Sequence, residues 1–407
     1  MKPAKSTITV LKQVVELIPG YEVSKLAREH GVDKRSRSFT PWSHVVALVH
    51  SQLAHSLSLN DLCDDLRNHS GALSTLRRAV PPSRNGLSHA NRNRNADMAE
   101  GLFWSTLRHL QNQAPSFGMG RRYVGFPKRF RRVINVMDST TIKLVANCMD
   151  WAKHRRRKAA AKCHMRLDLQ TFLPRFALVK PANTHDATEA PELCADIRAG
   201  EVAVFDKAYI NLAHLHPLDQ RGVFWVTRSR DNMACEIVGQ HTAPGGRILL
   251  DAVVHLTGVK SRCAYPNAFR LIVAELDVDG KPTVMSFITN NFEWAPSSIC
   301  ALYKGRWGVE VFFKQIKQTL QLADFLGHSQ EAIRWQIWTA LLTYVLLRFI
   351  AFRAQWKRSF ARLLTVLRSV LWNRLDMHSV LRCCGTAPDP PPLRTSPGQA
   401  YLPGFAP

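Results

Sequence analysis

The chain opens on helical periodicity. Val10, Leu11, Val14, Val15 and Leu17 fall on one side of a 3.6-residue repeat, and Pro19-Gly20 closes the segment. Residues 24–32 (SKLAREHGV) carry an Ala-x3-Gly step that faintly matches a helix-turn-helix; a helix stopped by Gly31 accounts for it as well and is preferred. Residues 42–57 are strongly apolar and predict a helix, and Ser58 caps a shorter one in LNDLCDDLRNH. PPSRNG at 81–86 predicts a turn, followed by the helical stretch LSHANRNRNADMAEGLFWSTLRHL. A basic, Gly- and Pro-containing linker then occupies 111–131.

From Val133 the period changes. VINVM predicts a short strand with Asp138 at its exit, and 141–145 a second. DWAKHRRRK (150–158) reads as a basic hairpin end or loop. Residues 167–180, allowing for Pro174, give one or two further strands, 187–199 a helix, VAVF (202–205) a buried strand with Asp206 at its end, and 209–218 a helix. Three strands, a helix, a strand and a helix, with acids after the first and fourth strands, predict an α/β ribonuclease-H-like core. Between 223 and 290 come FWVTR, RILLDAVVHL, FRLIVAELDV and TVMSFITN, divided by Pro- and Gly-bearing turns, so a β-rich insertion is expected there. A helix is predicted over 302–318 and another over 330–352, with an Arg-rich segment to Arg374. The division expected is a helical domain over 1–110, the linker, a catalytic domain over 132–380, and a Pro-rich disordered tail over 381–407.

Composition changes the picture through charge alone. Apolar residues at 46% and charged residues at 21% are ordinary for a globular chain, but 55 Lys and Arg against 31 Asp and Glu leave a net charge of +24. That excess is spread along the chain and not gathered on one amphipathic helix, so nucleic acid is a better partner than a membrane surface. The apolar stretch 337–352 is short and interrupted by Arg348, which favours a core helix over a membrane span. The scattered cysteines have no metal-ligand spacing, which fits reduced thiols in a cytoplasmic protein. No signal-peptide pattern opens the chain.

The candidate chemistry sits in LYKGRWGVEVFFKQIKQ (302–318). Arg306 and Glu310 are four apart and share a helix face, with Tyr303 and Lys317 near the same side. A carboxylate flanked by two cations and a phenol suits metal-assisted phosphoryl transfer; a solvated face with an i,i+4 ion pair is the plainer alternative. Gly305 and Gly308 weaken the helix start, a sign of close approach by another group.

The pattern Tyr-x2-Arg-x3-Glu-x6-Lys resembles, without a gap, the signature of bacterial insertion-sequence transposases of family 4, the YREK group of DDE transposases. VMDST around Asp138 resembles that family's first acidic motif, and VFDKAY around Asp206 its second. SFTPWSHVVALVHSQL, SLNDLCDDL and LSHANRNRN resemble its helical N-terminal module, with Asn85-Gly86 where the family shows Ser-Thr. The resemblance spans about residues 35 to 350.

What it implies is a DNA-cutting enzyme. Asp138, Asp206 and Glu310 would hold two Mg²⁺ or Mn²⁺ ions, Arg306 and Lys317 would hold phosphates, and Tyr303 would orient the transposon end. The N-terminal helices would bind the terminal inverted repeats, the β-rich insertion would help clamp double-stranded DNA, and two chains would pair on the ends as a homodimer associated with the nucleoid. A repressor descended from a transposase, and a nuclease that cuts without joining, are the alternatives. Asp150, Asp168, Asp186 and Asp196 rival the two strand-end acids; Asp186 reads as a helix N-cap and Asp196 as mid-helix. Arg92 and Arg94, with Asn91, Asn93 and Asn95, suit DNA contacts or a polar helix face. Trp225 and Trp294 read as core and His214-x-His216 as a polar helix face, while Lys162 and His164 resemble a basic motif that follows the family's first acid.

Overall fold

In the computed structural model, which describes residues 2–34, 36, 38–118, 132–144, 153–155, 158–181, 185–230, 232–241, 246–278, 280–320 and 325–384, the apolar stripes become seven N-terminal helices. They are α1 (Val10–Val15), α2 (Gly20–Glu29), α3 (Pro41–Ala54), α4 (Leu59–Asn68), α5 (Ser70–Ser74), α6 (Arg84–Asn93) and α7 (Asp97–Gln113). Thr40, Ser58 and Ser83 each accept the backbone N–H three residues on, which sets the starts of α3, α4 and α6. The turn expected over 81–86 is therefore only half a turn, since Arg84 to Gly86 already belong to α6. Gly31 takes φ +64° just after α2, the plain helix stop. The basic run from Arg121 to Arg131, Asp150 and the tail from Gly385 lie outside the described residues.

The strands are β1 (Ile134–Leu144), β2 (Lys153–Arg155), β3 (Lys158–Asp168), β4 (Pro174–Pro181), β5 (Val202–Phe205), β6 (Phe224–Arg228), β7 (Cys235–Gln240), β8 (Ile248–Leu256), β9 (Phe269–Val278) and β10 (Lys281–Thr289). They form one sheet in the order β2-β3-β1-β5-β6-β10-β9-β8-β7, with β4 also on β3. β1, β5 and β6 run parallel, β3 returns antiparallel beside β1, and β4 pairs antiparallel with β3. With α8 (Asp186–Leu193) before β5 and α9 (Leu212–Gln220) before β6, the order β4-β3-β1-β5-β6 is that of a ribonuclease-H-like core.

Two expectations shift here. FWVTR was expected to open the insertion, but as β6 it pairs parallel with β5 and completes the core. The insertion's own strands, β7 to β10, extend the same sheet through the antiparallel β10–β6 pair. Asp138 was expected where a strand ends, yet β1 runs on through it to Leu144, because β3 keeps pairing along the whole length. What ends at this level is the β5 neighbour, whose last partner is Met137 opposite Phe205.

After α10 (Val259–Ala264), the C-terminal helices are α11 (Pro296–Gly305), α12 (Trp307–Lys314), α13 (Gln330–Arg353), α14 (Phe360–Arg368) and α15 (Met377–Cys383). Apolar side chains of α12 and α13 join the N-terminal helices and one sheet face in a common core. The other face packs a second cluster under α8 and α9, around Met137, Trp225 and Tyr265. α13 is long and apolar enough to cross a membrane, but 83% of that apolar window is buried inside the protein, as a core helix requires. Main-chain bonds from Ser6, Val10 and Leu11 to carbonyls of Arg374, Asn373 and Leu371 tie the segment around α1 to the one between α14 and α15.

The helix expected over 302–318 is broken at Arg306. Arg306 N–H bonds Tyr303 O at 3.0 Å and Val309 N–H bonds Arg306 O at 2.9 Å, two tight steps between α11 and α12. A π-helical turn over Gln315–Thr319 closes the run. Gly308 shows why a small residue is needed: a Cβ there would lie 3.0 Å from Phe172 Cζ and 3.1 Å from its Cε1. The Phe172 ring would have to give way by a few tenths of an ångström to admit it. Gly308→Val is therefore expected to lower stability by about 1–3 kcal/mol through overpacking, read as a lower urea midpoint.

Candidate active site

The site is built by the parallel β1–β5 pair. Because Met137 faces Phe205 in register, Asp138 and Asp206 follow at adjacent positions on neighbouring strands. Asp206 N-caps the short turn Lys207–Tyr209, its Oδ1 accepting the Lys207 N–H at 2.7 Å. Asp138 Oδ1 accepts the Ser139 N–H at 2.8 Å, which leaves Oδ2 to the side-chain partner.

That partner comes from the break between α11 and α12. Arg306 Nη1 donates to Asp138 Oδ2 at 2.7 Å, and its Nη2 to Glu310 Oε1 at 3.3 Å. Tyr303, one turn earlier, donates its hydroxyl to Asp206 Oδ1 at 3.2 Å, while its ring packs on Phe287 and under the Arg306 guanidinium. Lys317, in the π-helical turn, donates to Thr141 O at 2.8 Å, three residues along β1 from Asp138. Asp138, Asp206, Tyr303, Arg306 and Glu310 are thus linked at one end of the parallel strands, and Lys317 attaches to β1 three residues further on. Tyr303 and Arg306 are buried, at 4% and 7% exposure, whereas the Glu310 side chain is 61% exposed. An open cleft of about 610 Å³ adjoins Asp206, lined by Lys207, Ala208, Arg230 and Asn232. A cavity of about 510 Å³ near Arg108, Asn135 and Arg166 lies at the other end of β1, away from the acids.

The electrostatics follow from this packing. Burial pushes the Asp138 carboxyl up to about 6; Arg306 and the Ser139 N–H pull it down, and Asp206 and Glu310 push it further up. Burial works against charge on Arg306, but the surrounding Asp138, Tyr303, Asp206 and Glu310 outweigh it and hold its pKa above the usual value. Burial lifts the Tyr303 phenol to about 12, so it stays a neutral donor to Asp206. Among the described residues no three His, Cys, Asp or Glu side chains converge as they would around a bound ion, because the guanidinium stands between Asp138 and Glu310. The donor chemistry still suits a hard divalent cation: two adjacent carboxylates and a third within reach, all oxygen.

Other sequence expectations resolve unevenly. Asn91 is buried and accepts from His44 Nε2 at 2.8 Å, and Arg94 donates to Thr40 O and Phe39 O, so both hold the helical body together. Arg92 and Asn93 remain exposed. Trp225 is core, 1% exposed among Tyr265 and Phe269, and Trp294 packs on Phe224. His214 is buried and not on a polar face, and burial drives its pKa down to about 4. Asp186 is not the cap of α8; His185 holds that position, and the Asp186 carboxylate instead accepts from Ser139 Oγ at 2.8 Å. Lys162 and His164, two apart and thus on one face of a strand, both reach this carboxylate.

Residues 129–346 match the family described as transposase DDE domain, and residues 6–76 match a domain of unknown function, DUF4372. The Sinorhizobium fredii (strain NGR234) protein y4zB, named as a transposase, is 30% identical over 272 residues, 65% of this chain and 72% of that protein. A Geobacillus stearothermophilus protein named as the transposase for insertion sequence element IS5377 is 28% identical over 233 residues, 56% of this chain and 59% of that protein. Among solved structures, the piggyBac transposase synaptic complex with hairpin DNA aligns at a TM-score of 0.42 and 10% identity, covering 95% of this chain and 85% of that one.

Proposed function

The chain belongs to the DDE transposase family, and on that premise we propose that it is a cut-and-paste transposase of the family 4, YREK-signature group, acting on the terminal inverted repeats of its own insertion sequence. As a DDE transposase it cleaves and transfers DNA strands and depends on divalent metal. In the finer reading, Asp138, Asp206 and Glu310 hold two ions, Mg²⁺ or Mn²⁺. When bound, such ions activate the attacking oxygen and stabilise the leaving one in an in-line displacement at phosphorus. The protein's own part is positioning. Tyr303 orients Asp206, Arg306 pairs with Asp138 and Glu310 and would hold phosphate oxygens once the ions take over those carboxylates, and Lys317, bonded to Thr141 O of β1, would hold phosphate beside it. The observation that carries this reading is the register that sets Asp138 beside Asp206, with Glu310 brought to them through Arg306.

The N-terminal helices, exposing Arg92 and Asn93, bind the ends, and the sheet extension β7–β10 helps to clamp the duplex. Two chains pair on two ends as a homodimer, and the protein is associated with the nucleoid. The test is incubation of linear DNA bearing the element's own ends with Mg²⁺ or with EDTA. Nicking at the ends in Mg²⁺ alone is the expected result; tight end binding without cleavage would leave a repressor instead. With a net charge of +24, end binding is expected to weaken by about 10³-fold or more between 50 and 200 mM salt, measured by fluorescence anisotropy.

A further inference from the structure

A second polar cluster lies behind the acids. Ser139 follows Asp138 on β1 and so points to the opposite sheet face. There its Oγ donates to Asp186 Oδ1 at 2.8 Å, and Lys162 Nζ reaches the same oxygen at 2.8 Å. His164, opposite Ser139 in the β1–β3 register, brings its Nδ1 to 3.4 Å from Asp186 Oδ1 and 3.1 Å from the Tyr209 hydroxyl. Tyr209 closes the turn that Asp206 caps. One carboxylate therefore links the residue after Asp138 to the turn after Asp206.

The cluster is nearly sealed. His164 and Tyr209 are 0% and 1% exposed, and the side chains of Lys162 and Asp186 only 15% and 17%. A buried polar network on a sheet face where apolar side chains would pack more cheaply calls for a reason. The neighbouring carboxylates supply one: Asp138 and Asp206 sit side by side, repel each other, and must keep one spacing to share a cation. Arg306 and Tyr303 hold the two carboxylates from the side where the ligand enters, and the cluster restrains the adjoining main chain from behind.

We infer that Asp186 is a positioning residue for the cation site, holding the Asp138 and Asp206 segments at a fixed separation through Ser139, Lys162, His164 and Tyr209. The inference rests on the assignment of Asp138 and Asp206 as cation ligands made above. Asp186 itself ligates nothing and bonds neither carboxylate directly; it acts one contact further out than the direct partners of metal ligands, whose loss, typically 10–100-fold in metal affinity, sets the scale.

Asp186→Asn keeps the shape and removes the charge. Mn²⁺ binding to the full-length protein without DNA, followed by the electron paramagnetic resonance signal of free Mn²⁺, is expected to weaken by about 10–100-fold in this variant. Tyr209→Phe, which drops one hydroxyl, should weaken it less. The Mg²⁺ concentration for half-maximal end cleavage should rise in parallel, with end-binding affinity unchanged. Wild-type Mn²⁺ affinity in Asp186→Asn, or a fall in melting temperature and cleavage with no change in metal dependence, would overturn the inference. Should Asp186→Asn not fold, Tyr209→Phe and Ser139→Ala carry the same criterion. A wild type that binds no Mn²⁺ at all would overturn the ligand assignment and this inference with it, so the two failures are distinct.

Discussion

Glu310→Gln is expected to reduce Mg²⁺-dependent cleavage at the element's ends by about 10³-fold or more, the scale on which groups acting as one unit fail together. End binding should change little. The Glu310 side chain is largely exposed and its pairing with Arg306, at 3.3 Å, is the looser of that residue's two ion pairs. Neutralising it therefore costs little stability, since exposed pairs contribute about 0–1 kcal/mol. What the amide cannot do is share a divalent cation with two other carboxylates. Asp138→Asn should show a loss of the same order, but with a change in stability as well, because Asp138 is the closer partner of the buried guanidinium. Gel assays of nicking, run beside anisotropy and urea denaturation, separate these effects. Cleavage that survives Glu310→Gln would place the third acid elsewhere and detach the signature helix from the chemistry.

The contrast between Glu310 and Asp138 also marks how far the sequence could be read. The buried strand VAVF and the spacing of Tyr303, Arg306, Glu310 and Lys317 were legible because burial and helical period leave a direct trace in residue type. That Asp138 lies mid-strand was not, since it depends on β3, which goes on pairing with β1 through Asp138 to Leu144. The strand KAAAKCHMRLD was obscured for a related reason: Lys162, His164 and Arg166 look like loop residues until Asp186, Asp196 and Leu193 O are seen to receive them. The break at Arg306 was hidden too. Arg306 itself keeps helical dihedrals, and only two tight main-chain steps flanked by Gly305 and Gly308 mark the interruption. β7 escaped notice because it is a mostly exposed edge strand with no apolar alternation to betray it.

The guanidinium sets the second large effect. Arg306→Ala, in metal-free protein, leaves Asp138 buried beside Asp206 and Glu310 with no countercharge, and removing one partner of a buried pair costs about 3–5 kcal/mol. Part of that cost can be escaped by protonation, which gives the loss a pH signature. In the wild type the folded carboxyl titrates at about 6 against 3.8 unfolded, so the native state holds this proton more tightly than the unfolded chain does. A raised acid of this kind destabilises the fold as pH climbs from about 4 to 6, by about 3 kcal/mol, and has no further effect above. Without Arg306, whose charge pulls the value down, the titration moves higher and the decline continues past pH 6. Wild type and Arg306→Ala should therefore differ modestly at pH 5, where Asp138 is largely protonated in both, and most at pH 8. Added Mn²⁺ should narrow the gap at pH 8, since a divalent cation meets the same carboxylates that the guanidinium balanced. Urea denaturation at the two pH values, with EDTA and with Mn²⁺, reads all four conditions. A gap that is equal at both pH values and indifferent to Mn²⁺ would mean that Arg306 acts through its packing on Tyr303 and not through its charge.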